Sequence, residues 1–331
     1  MAVVLAPAHA AAAPVIVDRP VVDLGARLGK ISGYGDVLAW SEYNASEATF
    51  SLVIQRHGQA PRRLNIVPRH RPFDVDAGPD RDGKPALVYS RCRKEPKQPD
   101  PRGLYEFYDL PAYPGGSRCD IYKYSLAAGR ERRLKDISTH SADEFMPSIW
   151  RGKVAFVREY SPGRPLRLYL NRRDGSGSRQ LRRSVLGDDV PSLDLRGRRV
   201  AYETVRLADD CEQNDIRFPS DAAFRTYMRI VELGRKPIRV AVSCNNDSRQ
   251  GNLAGAAWSG SRLIYSADRG QDYEAGQLVA RASNGTQQAL ASYAIPDSYI
   301  QYLAANDHGI YGAVLKKSDG HAHISHLLGS P

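Results

Sequence analysis

Closely spaced aspartates around one glycine are the first residues in this chain whose types and spacing could do chemistry. Asp74, Asp76, Asp80 and Asp82 lie close together, and Gly83 follows the last of them. Carboxylate and backbone oxygens in such a loop can surround a hard cation. Asp76, Asp80 and Asp82 are therefore candidate metal ligands, with calcium as the ion, although the sequence on balance predicts no cofactor. The alternative is a polar turn between two strands, in which Asp82 and Gly83 are selected for their backbone angles.

A second candidate group is aromatic and lies in a segment rich in proline and charge. Tyr105, Phe107, Tyr108 and Tyr113 all fall within residues 93–118. Aromatic side chains on a surface loop anchor protein partners or stack on sugar rings, so we predict these four as binding residues. The alternative is that they form a small core of their own against the rest of the fold.

The charge of the chain has two interpretations, a solvated basic surface or a site for a polyanionic partner. Its formal net charge is +10, and its arginines come in bursts within residues 130–133, 172–183 and 196–199. Such a surface attracts anionic glycans, anionic lipids or nucleic acid. Basic residues at strand edges also prevent edge-to-edge aggregation, which is the alternative reading. No nucleic-acid-binding motif accompanies the bursts, so we predict no specific nucleic-acid partner.

The elements that must position these residues repeat six times. In each repeat an apolar run ends in an aromatic, and a second strand-like run ends in a turn glycine. Such repetition is typical of arrays in which each unit buries its face against its neighbours, and it predicts an all-β, six-bladed β-propeller spanning residues 15–331 as one domain. The aromatics are Trp40, Tyr89, Phe156, Tyr202, Tyr265 and Tyr311; the glycines are Gly58, Gly129, Gly175, Gly234, Gly285 and Gly329.

Two irregularities in the repeat predict how the ring closes and where its loops lie. The last repeat lacks room for a fourth strand, so we expect the strand-like residues 15–22 to be added to the last blade. Repeats two and four are lengthened between their second and third strands, by insertions at 93–118 and 205–225. Both insertions fall on one face of the ring, which makes it the expected working face.

The cysteines and the first residues indicate export. Cys92 and Cys119 bracket the first insertion, and the repeat register also permits a Cys211–Cys244 bond near the second. Two disulfides suit an exported protein. Residues 1–14 are a short apolar run ending in small residues, which predicts a signal segment without a basic start. We therefore expect a secreted or periplasmic protein with no transmembrane segment.

The repeat resembles that of the TolB-like propellers, which are periplasmic or secreted. The similarity is carried by CDIYKYSL from Cys119, FMPSIWRGKVAF from Phe145 and VPSLDLRGRRVAY from Val190. These segments look like that family's strand, glycine turn and proline–aromatic phrase. The resemblance implies a six-bladed propeller. It is a structural phrase, so it says little about activity.

Two functions follow as hypotheses. The first is non-catalytic binding of a protein or anionic envelope polymer by a monomer without a cofactor, in which case Tyr105, Phe107 and Tyr108 should be exposed. The second is a polysaccharide lyase or glycoside hydrolase at the mouth of the central channel, in which case carboxylates or histidines with perturbed pKa values should converge there. The chain has no G-x-S-x-G motif for a serine nucleophile. Asn44, Asn246 and Asn284 are glycosylation sequons.

Overall fold

The computed structural model of the chain describes fourteen segments, and these form strands and turns. A helix long and apolar enough to cross a membrane does not occur among these residues. The described residues are 14–25, 29–95, 117–161, 165–171, 177–185, 190, 192–207, 212–213, 216–217, 224–245, 253–268, 275–295, 298–316 and 318–329.

Six sheets, called blades, follow one another; each has four antiparallel strands, written here from A to D, and the sheet of blade five has one strand more. Two short strands precede them, β1 (Val15–Ile16) and β2 (Pro20–Gly25). Blade one contains β3 (Ser32–Tyr34), β4 (Val37–Asn44), β5 (Thr49–Arg56) and β6 (Arg62–Arg63); blade two contains β7 (Asp76–Pro79), β8 (Pro85–Lys94), β9 (Ser117–Ser125) and β10 (Arg130–Arg133); blade three contains β11 (Asp143–Trp150), β12 (Lys153–Glu159), β13 (Arg167–Asn171) and β14 (Ser178–Val185).

The second half of the ring repeats this plan. Blade four contains β15 (Leu193–Arg196), β16 (Arg199–Leu207), β19 (Phe224–Glu232) and β20 (Ile238–Asn245), with a small hairpin, β17 (Glu212–Gln213) and β18 (Ile216–Arg217), between its second and third strands; blade five contains β21 (Leu253–Ser259), β22 (Arg262–Asp268), β23 (Ala275–Arg281) and β24 (Gln287–Ala294); blade six contains β25 (Ser298–Asn306), β26 (Gly309–Lys316) and β27 (Ala322–Gly329), with β2 as its fourth strand.

The A strands form the inner wall of a closed ring. Each A strand contacts the A strand of the next blade, and β25 of blade six returns to β3 of blade one. The six predicted blades are therefore confirmed.

The repeat aromatics seal the contacts between blades. Trp40, Tyr89, Phe156, Tyr202 and Tyr265 are buried, whereas Tyr311 is partly buried. For example, Phe156 of blade three packs in one cluster with apolar side chains of blade two. Large aromatic side chains bury the most apolar surface per residue, which explains their recurrence at this position.

The ring closes through the N-terminal segment, as predicted, but with a different strand boundary. The strand β2, Pro20–Gly25, pairs antiparallel with β27 and completes blade six. Residues Val15 and Ile16 pair parallel with β24 and add a fifth strand to blade five. The predicted closing segment, residues 15–22, is therefore corrected. Asp18 and Pro20 divide the segment into two β-branched runs. The first run pairs with blade five and the second with blade six.

The two faces of the ring differ in their connections. One face carries the turns between strands A and B and between strands C and D, and we name it the turn face. The opposite face carries the B–C and D–A connections and is named the insertion face, because both predicted insertions are B–C connections: β8 to β9 and β16 to β19. Within them, residues 96–116 and most of 208–223 lie outside the described residues.

Candidate functional site

The central channel is lined by side chains that link one blade to the next, and we name Ser32, Asp76, Ser148 and Asp194 the polar chain. Each comes from the A strand of blades one to four and accepts a backbone N–H from the A strand of the following blade. The donors are Ala77 to Ser32 at 2.9 Å, Ile149 to Asp76 at 2.8 Å, Leu195 to Ser148 at 2.8 Å and Trp258 to Asp194 at 2.6 Å.

Side chains of the polar chain also bind one another. The Ser32 hydroxyl donates to Asp76 at 2.9 Å, and the Ser148 hydroxyl lies 2.8 Å from Asp76 and 3.3 Å from Asp194. Burial raises the pKa of Asp194 to about 8, and the negative charge of Asp76 adds to the effect. Burial likewise raises the pKa of Asp76, although the ammonium group of Lys30 opposes it.

Lys30 extends across the channel. It precedes strand A of blade one, and its Nζ donates to the backbone carbonyl of Leu193 in blade four at 3.2 Å. Blades one and four are opposite each other in a ring of six. A buried ammonium next to two carboxylates compensates charge that would otherwise be costly to bury.

The channel thus contains the converging carboxylates with raised pKa values that the enzyme hypothesis requires, but both already have protein partners. Asp76 is only 3% exposed and binds Ser32, Ser148 and the Ile149 amide. Asp194 binds Ser148 and the Trp258 amide. Carboxylates that accept hydrogen bonds from the next blade hold blades together, and this is the chemistry that the arrangement supports best.

The three predicted metal ligands do not converge on one point in the described residues. Asp76 belongs to the polar chain, Asp80 forms an ion pair with Lys123 at 2.5 Å, and Asp82 is exposed and accepts the Lys84 amide at 3.1 Å. Burial is the largest single effect on the pKa of Asp80 and raises it, but the hydrogen bonds from Lys123 and the Arg81 amide, together with the positive charges of Lys123 and Arg132, outweigh it and lower the pKa. No group of three or more carboxylate, histidine or cysteine side chains suited to a metal occurs among the described residues. Calcium stays a prediction.

On the insertion face, the predicted Cys92–Cys119 disulfide is present and joins β8 to β9 at the base of the first insertion. The predicted binding residues Tyr105, Phe107, Tyr108 and Tyr113 lie outside the described residues, and so does Cys211. The side chain of Cys244 is also outside them, so the second disulfide stays a prediction.

A buried ion pair lies beside this disulfide. Asp143 accepts the Cys119 amide at 2.7 Å, and the neighbouring Glu144 binds the Arg158 guanidinium at 2.9 Å. Burial raises the pKa of Glu144 to about 7 even though Thr139 and Arg158 favour its ionised form. Because Glu144 is fully buried, it is a structural partner of Arg158 rather than an accessible acid.

The turn face carries a basic groove at the mouth of the channel, which we name the channel-mouth groove. Its volume is about 530 Å³, and it crosses the A–B turns of blades two, three and four. Arg81, Arg151, Lys153 and Arg198 line it, against a single carboxylate, Asp82. Because A strands surround the channel, residues far apart in sequence meet here on neighbouring turns.

Trp150 is the aromatic residue of this groove. It is half-buried, with the Arg196 guanidinium 4.5 Å from its ring centre and Tyr34 edge-on at 6.1 Å. These contacts hold the indole in place at the end of β11. The next residue, Arg151, has a φ of 49°, in the left-handed region that costs an ordinary L-residue about 1 kcal/mol.

A second groove, the radial groove, lies between blades two and three and extends from the A–B turn of blade two to residues 134–136, which follow its strand D. Its volume is about 680 Å³. Two of its cations are paired, Lys123 with Asp80 and Arg133 with Asp120. Arg81 and Asp82 line both grooves. The cations are Arg81, Lys123, Arg132, Arg133 and Lys135, and the carboxylates are Asp80, Asp82 and Asp136.

Sequence reasoning identified only part of this surface. The bursts at 130–133 and 196–199 were predicted to attract polyanions, and Arg132, Arg133 and Arg198 do line the grooves. Arg81, Arg151 and Lys153 were missed because they lie at or beside A–B turns and belong to no arginine burst. The signal that could have found them is the A–B turn itself, which contains an arginine in three successive repeats.

Solved structures share the fold of this chain. A nidogen/laminin complex matches with a TM-score of 0.50 at 8% identity, over 88% of this chain and 92% of that one. The tricorn protease matches with a TM-score of 0.50 at 13% identity, over 92% of this chain but only 26% of that one. TolB from Acinetobacter baumannii matches with a TM-score of 0.49 at 11% identity, over 89% of this chain and 66% of that one, which is just under two thirds of its length.

At these identities the likeness concerns the fold alone, which is a TolB-like six-bladed β-propeller. A scan against protein-family models finds no match. A search of curated proteins finds no match either.

Proposed function

We propose that this chain is an exported, non-catalytic binding propeller that holds an anionic polymer of the cell envelope on its turn face. The observation that carries the proposal is the channel-mouth groove, which is lined by four cations from three blades and one carboxylate. One of these cations, Arg198, also lies 3.8 Å from Glu232, outside the groove. Convergent positive charge in a concave site attracts and retains polyanions. Export is supported by the Cys92–Cys119 disulfide, a bond typical of oxidising compartments.

Arg151 adds a second argument. In tight hairpin turns a position with positive φ is usually occupied by glycine or asparagine, because these residues adopt it at little cost. The chain instead places an exposed arginine there, in the middle of the groove. Local strain that the fold tolerates is often connected with function. Contact between this cation and the ligand would offset the free-energy cost of the strained backbone at Arg151.

Arg151→Gly separates binding from folding. Glycine relieves the backbone strain, so the variant should be as stable as the wild type or more stable by about 1 kcal/mol. It removes one cation from the groove, so its affinity for a fluorescent polygalacturonate chain should fall about tenfold. The logarithm of the wild-type binding constant should also fall linearly with the logarithm of salt concentration, measured by fluorescence anisotropy between about 50 mM and 200 mM salt.

The matched control is Arg235→Gly. Arg235 is exposed in the C–D turn of blade four and lies outside both grooves, yet its substitution changes the net charge equally. It should leave the affinity almost unchanged. Equal losses in the two variants would reduce the proposal to general charge attraction. If neither polygalacturonate nor single-stranded DNA bound the wild type, the proposal would be wrong.

Two other hypotheses concern the insertion face and the central channel. Contact of the insertion face with a partner through Tyr105, Phe107 and Tyr108 stays a prediction, and deletion of residues 99–113 would test it without touching the turn face. Catalysis in the channel has less support, because Asp76 and Asp194 are occupied by partners of the neighbouring blades.

A further inference from the structure

The channel-mouth groove and the radial groove meet at Arg81 and Asp82. Arg81 lines both, and its stem lies over the backbone of Gly152 in the next blade. A Cβ atom at position 152 would lie 2.3 Å from Cγ of Arg81. The guanidinium therefore keeps its place between the grooves only because residue 152 has no side chain.

Together the two grooves are long. The radial groove alone crosses blade two from strand A to strand D, three strand spacings or about 14 Å. The channel-mouth groove continues it across the A–B turns of three blades. A small anion would occupy a fraction of this length, whereas an extended chain would contact Arg81, Arg151 and Lys135 at once.

Carboxylates are interspersed with the cations along this path. Asp82 and Asp136 are both exposed, and Asp82 lies where the grooves meet. The backbone of a nucleic acid offers closely spaced negative charges and acceptor oxygens, which these carboxylates would repel. A uronic acid polymer carries carboxylates for the arginines and hydroxyl donors for the aspartates. Trp150 supplies one aromatic ring, enough to stack one sugar, whereas single-stranded nucleic acids are bound by successive stacking rings.

We propose that the two grooves form one continuous site for an extended acidic polysaccharide of the uronic acid type. In this site Arg81 binds a carboxylate at the junction, and Asp82 and Asp136 accept hydrogen bonds from sugar hydroxyls. The inference rests on the proposed function, since it names the polymer that the turn face would bind. It adds two requirements: the ligand spans both grooves, and the aspartates favour it.

Asp82→Asn together with Asp136→Asn tests the second requirement. Both residues are exposed, and an asparagine at position 82 can still accept the Lys84 amide, so folding should be unaffected. Removing two negative charges should raise affinity for oligodeoxythymidylate several-fold. The same change should leave affinity for an oligogalacturonate of equal charge unchanged or lower it, because charged acceptors are exchanged for weaker ones. An equal rise for both probes would overturn the role of the aspartates.

Gly152→Ala tests the first requirement, with Gly260→Ala as its matched control. Both glycines are in A–B turns at positive φ, but a Cβ at position 260 meets nothing within 4 Å. Displacing Arg81 should weaken binding of a decagalacturonate about tenfold, and binding of a digalacturonate much less. Gly260→Ala should weaken neither.

The outcomes separate the two proposals. Equal affinity of wild-type protein for galacturonate and thymidylate oligomers, or no gain in affinity with length, would overturn the continuous polysaccharide site while leaving a polyanion-binding face. Failure of every polyanion to bind would overturn both.

Discussion

Four of the six junctions between blades are held differently from the other two. From blade one to blade five, each junction has a member of the polar chain that accepts an amide of the following A strand. In blade five the corresponding residue is Ala257, directly before Trp258, and it has no side-chain acceptor to offer. Between blades five and six, and between six and one, the backbones instead approach each other at Gly255 and Gly33.

The two kinds of junction differ in what lies between neighbouring A strands. A strand at the centre of a propeller must bury backbone N–H groups against its neighbour, and an unpaired buried amide is costly. Side-chain acceptors satisfy these amides but bring buried carboxylates with them. Close backbone packing avoids the charge but tolerates no Cβ atom. The second junction combines both devices, since Gly78 lies against the carbonyl of Ile149 beside Asp76.

Gly255→Ala should have the largest effect on stability. Gly255 has a φ of 63°, and a Cβ atom there would lie 2.5 Å from the backbone nitrogen of Leu303. Strain and overpacking together should cost about 3 kcal/mol in the free energy of unfolding, measured by urea titration. Gly260→Ala shares the positive φ without the clash and should cost about 1 kcal/mol. Equal costs would show that the five–six junction is not closely packed.

Ser148→Ala tests the other kind of junction. Its hydroxyl accepts the Leu195 amide and donates to Asp76, so its loss leaves a buried N–H without a partner and should cost about 2 kcal/mol. Ser90 is a control of equal burial, whose hydroxyl has no hydrogen-bond partner among the described residues. Ser90→Ala should be neutral in the same urea titrations. If Ser148→Ala left the free energy of unfolding unchanged, the polar chain would not contribute to stability.

Asp194→Asn distinguishes the junctions by their response to pH. The pKa of Asp194 is about 8 in the folded state, above the ordinary value, so the folded protein holds a proton that the unfolded chain releases. Stability from this group is complete at low pH and is lost as pH rises towards 8, with a slope of at most about 1.4 kcal/mol per pH unit. The asparagine variant should show a flatter dependence in unfolding titrations between about pH 5 and pH 9. An unchanged slope would place the titrating group elsewhere.

The smallest effect should come from the N-terminal strand. Asp18 accepts hydrogen bonds from His323 at 3.0 Å and from Ser325, and these contacts hold β2 to β27. Asp18→Asn should cost up to about 1 kcal/mol and speed hydrogen exchange in β27, because the pair is partly exposed. Asp23→Asn, whose contact with His321 is far more exposed, should change neither. Equal exchange in both variants would mean that Asp18 does not secure the closure.

Sequence reasoning recovered the parts of this fold that repeat locally. The aromatic and glycine of each repeat lie within one blade, so the number of blades, the insertions and the Cys92–Cys119 bond follow from spacing. The closing strand was misplaced at residues 15–22 because Val15–Ile16 and Val21–Val22 are equally strand-like. Which of them pairs with blade six depends on Asp18 and its partners at the far end of the chain, and no local pattern contains that information.

The candidate site was harder to predict for the same reason. Arg81, Arg151 and Arg198 meet only because three A–B turns are neighbours around the channel, while about fifty to seventy residues separate one from the next in the chain. The insertions attracted attention because they interrupt the repeat. The arginines of the A–B turns do not interrupt the repeat. Spacing alone therefore does not distinguish a turn arginine that meets others across the ring from one that does not.

Closure by the N-terminal strand also determines the order of events when the chain is made. Asp18 emerges from the ribosome early, but its partner His323 is 305 residues further on. Until β27 has been synthesised, β2 has no strand to pair with. Once β27 has formed, its free edge stays unpaired until β2 adds to it. That edge accepts the same strand from any chain. At high concentration two chains can therefore exchange their N-terminal strands, giving a dimer in which each ring is completed by the other.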